Sequence, residues 1–378
     1  MEKRDPLNIC ILGGGNVGTL LAADLGRRDS VSVRIFTSRP DEWSSEIGVF
    51  DSGERFLYKG KVDIVSDNPE EVIKNADIII STLPSHVVGN VIERIKPYIS
   101  THAWIGMMPG SGGGEFLCKD LIDIGSVFFG FQRVHGISRI RKYGTEVYSL
   151  GKKENIFVSA IPADRTKDIC LLMEELLSIK CTPLANYLNV TLTPSNPILH
   201  TTRLYSLFYD WRPGLVWEEE IGFYDDWTDE SSRLLLACDN ELQEMCKMLY
   251  DLDLTMVKPL REHYESETPQ ELTRKIRSIA AFRGIKTPMQ KTTDGFVPNF
   301  ESRYFQEDFP YGLCIIKSFC DIVGVESPNI DRVLRWFEKT MGVEYYKDGK
   351  FSGRDLRELP LPVNYGISTI EDVLSYYG

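Results

Sequence analysis

Apolar positions along this chain of 378 residues fall into two textures. In the first half, short continuous apolar runs alternate with stretches of helical spacing. "LNICILGGGNVGTLLAADLGRR" opens the series: Ile9 to Leu12 read as a buried parallel strand, and Leu20, Leu21, Ala22, Ala23 and Leu25 as a helix face. "VSVRIF" (31–36) and "KVDIV" (61–65) predict further strands. "NPEEVIKNA" (68–76) predicts a short helix with Asn68 as N-cap and Pro69 in its first position. "DIIISTLPSH" (77–86), "AWIGMMPGSGGGEF" (103–116) and "SVFFGFQRV" (126–134) predict three more strands, the first two ending in polar or glycine-rich turns. Such alternation predicts a Rossmann-type doubly wound α/β sheet. Ligands of these sheets lie beyond the carboxyl ends of the strands. The turns at Leu83–Pro84–Ser85 and Pro109–Gly114 are therefore expected to edge a ligand cleft.

The second half reads as helices: 164–179, 229–252, 268–282 with Thr268 as N-cap and Pro269 following, 307–325 and 327–342. The domain boundary is expected near Thr182–Ser195, in "CTPLANYLNVTLTPSNP", rich in proline, threonine and asparagine. The expected fold class is α/β plus all-α, with a dinucleotide-binding domain over 1–188 and a helical substrate domain over 189–378. The order suggests a two-domain dehydrogenase with substrate held between the domains.

Composition narrows the partners. With 42% hydrophobic and 26% charged residues the chain is an ordinary globular one, long enough for two cores. A net charge of −12 argues against nonspecific polyphosphate binding, so nucleic acid is not an expected partner. The opening "MEKRDPLNICILGGG" is charged and lacks the long apolar stretch of a signal peptide. No run reaches the ~18 apolar residues of a membrane helix, so no membrane association is expected. The eight cysteines are scattered without a CxxC pair, which argues against a zinc ribbon, and no metal is expected. Their apolar surroundings suit a reducing compartment, and a cytoplasmic location follows as an expectation.

Gly13, Gly15 and Gly18 form GxGxxG between strand and helix, with Asn16 and Val17 inside the motif. The first glycine permits the tight turn, the second lets a pyrophosphate approach the backbone, and the third lets helix and strand pack closely. Free N–H groups at the helix start would hold the phosphates. The second strand ends in Thr37, Ser38 and Arg39 rather than in an acidic residue. A hydroxyl and a guanidinium fork suit a 2′-phosphate, so NADP is the favoured cofactor. Asp41 and Glu42 nearby keep NAD open.

Several stretches resemble the octopine/nopaline (opine) dehydrogenase family. They are "GGGNVG", "FQRVHGISRIRKYG" (131–144), "NPILHTTRLY", "DGFVPNFESRYFQEDFPYGL" (294–313) and the tail "GVEYYKDGKFSGRDL…NYGISTIEDVL". Their order covers nearly the whole chain. The resemblance implies reductive condensation of an amino acid with a 2-keto acid by a reduced nicotinamide. It implies His200 as acid/base, Asp308 as its partner, Arg303 on the keto-acid carboxylate and Asn196 near the substrate carbonyl. Octopine-forming members carry a glutamate where this chain has Gln132, so the resemblance makes arginine a poor expectation for the amine. Arg133 beside it could instead receive a carboxylate-rich partner. Both monomers and homodimers are compatible with the resemblance.

The residue chemistry agrees with these roles. C–N bond formation moves protons at an oxygen and at an amine, and histidine titrates near neutrality. A neighbouring carboxylate fixes its tautomer. An arginine grips a carboxylate through two parallel hydrogen bonds. Glu307 is an alternative partner for His200, and Arg303 with Asp308 an alternative structural ion pair. His135 could touch substrate, His86 could line the cleft or face solvent, and His102 and His263 show no functional context. Two other readings compete: a 2-keto acid reductase of the ketopantoate reductase type, which would lean on a lysine, and an NAD(P)-sensing protein without catalysis.

Overall fold

Strand Leu7–Leu12 is apolar on both faces, with Ile9, Cys10 and Ile11 fully buried, and such a strand is stable only inside a covered sheet. It lies within an eight-stranded sheet of a computed structural model that describes residues 6–378. The charged opening Met1–Asp5 lies outside the described residues. Leu7–Leu12 pairs in parallel with Val31–Phe36 on one side (Leu12 opposite Phe36) and with Ile78–Ser81 on the other (Leu12 opposite Ser81). Beyond Ile78–Ser81 come Trp104–Met107, Phe128–Phe131, Asn155–Ile161 and Lys180–Pro183, and beyond Val31–Phe36 comes Ile64–Ser66. All neighbours are parallel except Phe128–Phe131 with Asn155–Ile161. Helices Asn16–Leu25, Ser85–Ile95 and Thr166–Leu177 connect the strands. Asn68 caps the short helix Pro69–Ile73 by accepting from Glu70 N at 3.1 Å.

A second sheet departs from the sequence reading. Its four strands run Phe56–Lys61, Glu46–Phe50, Glu146–Lys152 and Gly136–Lys142 in spatial order. The single strand expected over 61–65 is in fact the end of one strand and the start of another. These strands alternate exposed charges with few apolar residues, a weaker pattern than a continuous apolar run. The sheet packs on helix Asn16–Leu25. Gly60 permits that approach, since a Cβ there would stand 2.1 Å from Ala23 O.

The chain divides into two compact units, one ending at Thr191 and taking in Tyr377–Gly378, the other comprising Leu192–Tyr376. The second is helical: Pro197–Phe208, Asp229–Met248, Pro269–Ser278, Cys314–Ile322 and Pro328–Met341. Thr268 and Glu271 form a reciprocal capping box at the start of Pro269–Ser278. The helix expected over 307–325 is interrupted. Pro310 has no N–H to donate, and the chain makes a wider turn, Phe309–Leu313, closed by Leu313 N to Asp308 O at 2.9 Å. No helix among the described residues is long and apolar enough to cross a membrane.

Candidate active site

His200 sits in the first turns of helix Pro197–Phe208, which Pro197 starts and Asn196 precedes as N-cap. The His200 backbone N–H donates to Asn196 O at 3.0 Å, while Asn196 itself is exposed. The imidazole is fixed from several sides. Its Nδ1 stands 2.8 Å from Asp308 Oδ2, and its Nε2 stands 3.1 Å from the Tyr224 hydroxyl. Phe223 and Tyr304 meet the ring edge to face, with centroids at 5.6 and 4.7 Å. The His200 and Asp308 side chains keep only 13% and 16% exposure, so the pair is nearly but not wholly closed to solvent.

Asp308, not Glu307, is therefore the partner of His200. It is carried there by the wide turn that Pro310 imposes, 108 residues along the chain. Glu307 instead accepts from Arg303 at 2.9 Å, which corrects the alternative pairing of Arg303 with Asp308. That arginine's side chain is 75% exposed, so its guanidinium lies where a solute can reach it.

Two residues of the site were missed in the sequence. Tyr224 lies in "IGFYDDW", a loop without periodicity, and nothing local marks it. Arg203, one turn after His200, is fully buried and organises that loop. It donates to Phe223 O, Gly222 O, Asp226 O and Ser231 Oγ at 2.9, 3.3, 2.8 and 3.1 Å. Burial pushes its pKa down to about 10, which still leaves it charged at neutral pH.

In the sheet-containing unit, the glycine turn fits a dinucleotide. Gly13 has φ +104°, a conformation open to glycine, and a Cβ at Gly18 would stand 2.0 Å from Gly13 O. At Gly15, the N-cap of Asn16–Leu25, a Cβ would meet nothing within 4 Å. Open space at a helix start with free N–H groups is where a pyrophosphate belongs. Leu83 packs against Gly13, and Pro84 is the N-cap of Ser85–Ile95. Asn16 points elsewhere: its Oδ1 accepts from Ile140 N at 2.8 Å, so the side chain fastens the turn to the second sheet. Val17 packs against the apolar core of this unit.

After the second strand, Thr37 is buried while Ser38 and Arg39 are exposed. The Arg39 guanidinium lies 3.6 Å from the centroid of Tyr143, whose hydroxyl is 3.0 Å from Thr37 Oγ1. Tyr143 was missed because it lies in the hairpin of the unforeseen sheet. Arg39 also approaches Glu42 at 3.5 Å. Gln132 donates to Asn189 O at 3.2 Å, and Arg133 beside it is exposed. His135 is not a substrate contact: it is wholly buried between Asp24, at 3.1 Å, and Met108 Sδ, at 3.1 Å. His86 is exposed near the start of Ser85–Ile95.

Comparison with known proteins agrees with both halves. Residues 183–341 match the family described as NAD/NADP octopine/nopaline dehydrogenase, alpha-helical domain, and residues 8–110 match the NAD-dependent glycerol-3-phosphate dehydrogenase N-terminus. The chain is 29% identical to tauropine dehydrogenase of Arabella iricolor, over 97% of this chain and 99% of that protein. It is 26% identical to octopine dehydrogenase of Pecten maximus, over 98% and 99%. An octopine dehydrogenase structure with NADH and L-arginine superposes with a TM-score of 0.86 at 25% identity, covering 97% of each chain. Residues 183–341 thus match the octopine/nopaline dehydrogenase helical domain, and over nearly its whole length the chain is similar to NAD(P)-dependent opine dehydrogenases.

Proposed function

We propose that the protein condenses the amino group of an amino acid with a 2-keto acid and reduces the product, with His200 as the acid/base. The observation that carries this reading is the His200–Asp308 contact of 2.8 Å inside an aromatic, nearly closed site. An ionised carboxylate only accepts, so Asp308 holds the hydrogen on Nδ1 and leaves Nε2 with its lone pair as the proton acceptor, facing the Tyr224 hydroxyl. Condensation needs one proton removed from the amine and one delivered to the carbinolamine hydroxyl, which then leaves as water. One imidazole can take the first and return it as the second. Asp308 stabilises the imidazolium between those events. Arg303, exposed and braced by Glu307, offers its fork to the keto-acid carboxylate, and Asn196 lies one turn from His200 to meet the carbonyl. When bound, the reduced nicotinamide supplies the hydride.

The cofactor would lie with its pyrophosphate at Gly13, Gly15 and Gly18 and its ribose near Thr37, Ser38 and Arg39. We infer a preference for NADP, because Tyr143 holds both the Thr37 hydroxyl and the Arg39 guanidinium in place. Arg39→Ala should then weaken NADPH about 10- to 100-fold, the range of a hydrogen bond to a charged group, and leave NADH nearly unchanged. Equal losses for both, in a fluorescence titration, refute the assignment.

The amine remains to be chosen by the enzyme itself. Gln132 carries no charge to meet a guanidinium, and exposed Arg133 beside it favours an amine partner rich in carboxylate. Oxidation of NADPH and NADH should be followed with pyruvate, with and without a panel of amino acids, and the product weighed by mass spectrometry. Oxidation that requires both substrates and yields the condensed mass is the expected result. Oxidation with the keto acid alone indicates a simple reductase, and none on any pairing rules out the proposed reaction.

A further inference from the structure

Both nitrogens of the His200 ring are already engaged. Asp308 Oδ2 fixes the hydrogen on Nδ1, so Nε2 presents a single in-plane lone pair, and the Tyr224 hydroxyl donates to it at 3.1 Å. One lone pair accepts one good hydrogen bond, so a substrate atom cannot reach Nε2 while Tyr224 holds it. Nor can the tyrosine easily swing away. Its ring is 5% exposed and lies parallel to Phe282 with centroids 4.0 Å apart. Trp227 lies parallel at 6.3 Å, and Phe223 meets the ring edge to face at 4.8 Å. The backbone on either side is held by buried Arg203, through the carbonyls of Gly222, Phe223 and Asp226. Burial first, then the neighbouring Tyr304, Tyr264 and Asp308, push the phenol well above its ordinary pKa. The hydroxyl therefore stays protonated near neutrality and serves as a donor.

We propose that Tyr224 is a further catalytic residue, the group whose hydroxyl meets the substrate and relays protons between it and His200 Nε2. This rests on the reading of His200 as the acid/base. In the forward step the phenol oxygen takes a proton from the amine nitrogen as its own proton passes to Nε2. One N–H and one O–H bond break, one O–H and one N–H bond form, and an imidazolium results beside ionised Asp308. In the return step Nε2 gives its proton back to the phenol oxygen while the phenol proton moves to the carbinolamine hydroxyl, which leaves as water. Tyrosine and histidine end as they began.

Tyr224→Phe keeps the ring and its stacking and removes only the hydroxyl. Turnover with pyruvate and the best amine of the panel should fall by about 10²-fold or more, the range for loss of a general acid/base, with little change in the keto-acid KM. A bystander that only packs the site would not produce that split. Independently of any variant, the unaltered enzyme measured in H2O/D2O mixtures should give a bowed proton inventory for kcat, because two protons move together. A straight inventory in the unaltered enzyme overturns the relay, as does a folded Tyr224→Phe enzyme with normal kcat. His200→Ala run alongside separates the two ideas. If it is inactive while Tyr224→Phe is normal, only the relay fails; if it is fully active, the acid/base reading fails and the relay with it.

Discussion

His200→Ala is expected to lower turnover by about 10²-fold or more while nicotinamide affinity stays unchanged. The physical reason is local. In the proposed reaction the imidazole is the final store of the proton, and Asp308 at 2.8 Å is placed to hold its hydrogen on Nδ1. Alanine leaves a carboxylate with 16% exposure facing a small void, which water can fill, so the fold should survive. The His200 ring is held by Asp308 and Tyr224, and the turn that fits the dinucleotide is braced by Asn16, so cofactor affinity has no direct reason to change. Steady-state turnover at saturating substrates, with a fluorescence titration of the nicotinamide, checks both halves of the expectation. Turnover equal to that of the unaltered enzyme removes His200 from the mechanism.

Arg203→Met should strongly destabilise the helical unit. The side chain is 1% exposed and donates to three backbone carbonyls and one hydroxyl, and Trp227 lies under its guanidinium at 5.4 Å. Methionine replaces the apolar stem but none of the donors. Each buried acceptor left unpaired costs roughly 1–3 kcal/mol, and partial rearrangement should leave a net loss of about 3–5 kcal/mol. For a unit of this size that is a fall in Tm of roughly 6–20 °C. Thermal unfolding followed by circular dichroism measures it, and a shift within about 2 °C would mean the loop finds other partners. Because the loop carries Tyr224, activity should fall even at temperatures where the variant is folded.

These two residues show where sequence reading succeeds and where it stops. Ile9 to Leu12 and Ile78 to Ile80 are legible because strands buried on both faces leave uninterrupted apolar runs. The N-cap at Thr268 is legible because a threonine followed by proline marks a helix start locally, and the structure adds Glu271 as its reciprocal partner. Strands Gly136–Lys142 and Glu146–Lys152 are not, because a half-exposed sheet needs only every second residue to be apolar and this one alternates with charges. Without them Tyr143 could not be placed under Arg39. In the helical unit His200 stands out by residue type and position, but Asp308 came from the family resemblance, since no periodicity links residues 108 apart. Tyr224 and the work of Arg203 had no signal at all. Both depend on a turn whose shape is set by the arginine it wraps.

The tether from Asn16 to the strand Gly136–Lys142 has a thermodynamic consequence. The Asn16 amide oxygen accepts from Ile140, and the Asn16 carbonyl accepts from Ser138 Oγ at 2.9 Å. The glycine turn is thereby braced from behind before any nucleotide arrives. Its conformational freedom is surrendered during folding, so that loss does not recur as an entropic penalty on association. Damage to a hairpin 124 residues along the chain would then surface as weaker nucleotide capture, with every atom that touches the nucleotide still in place.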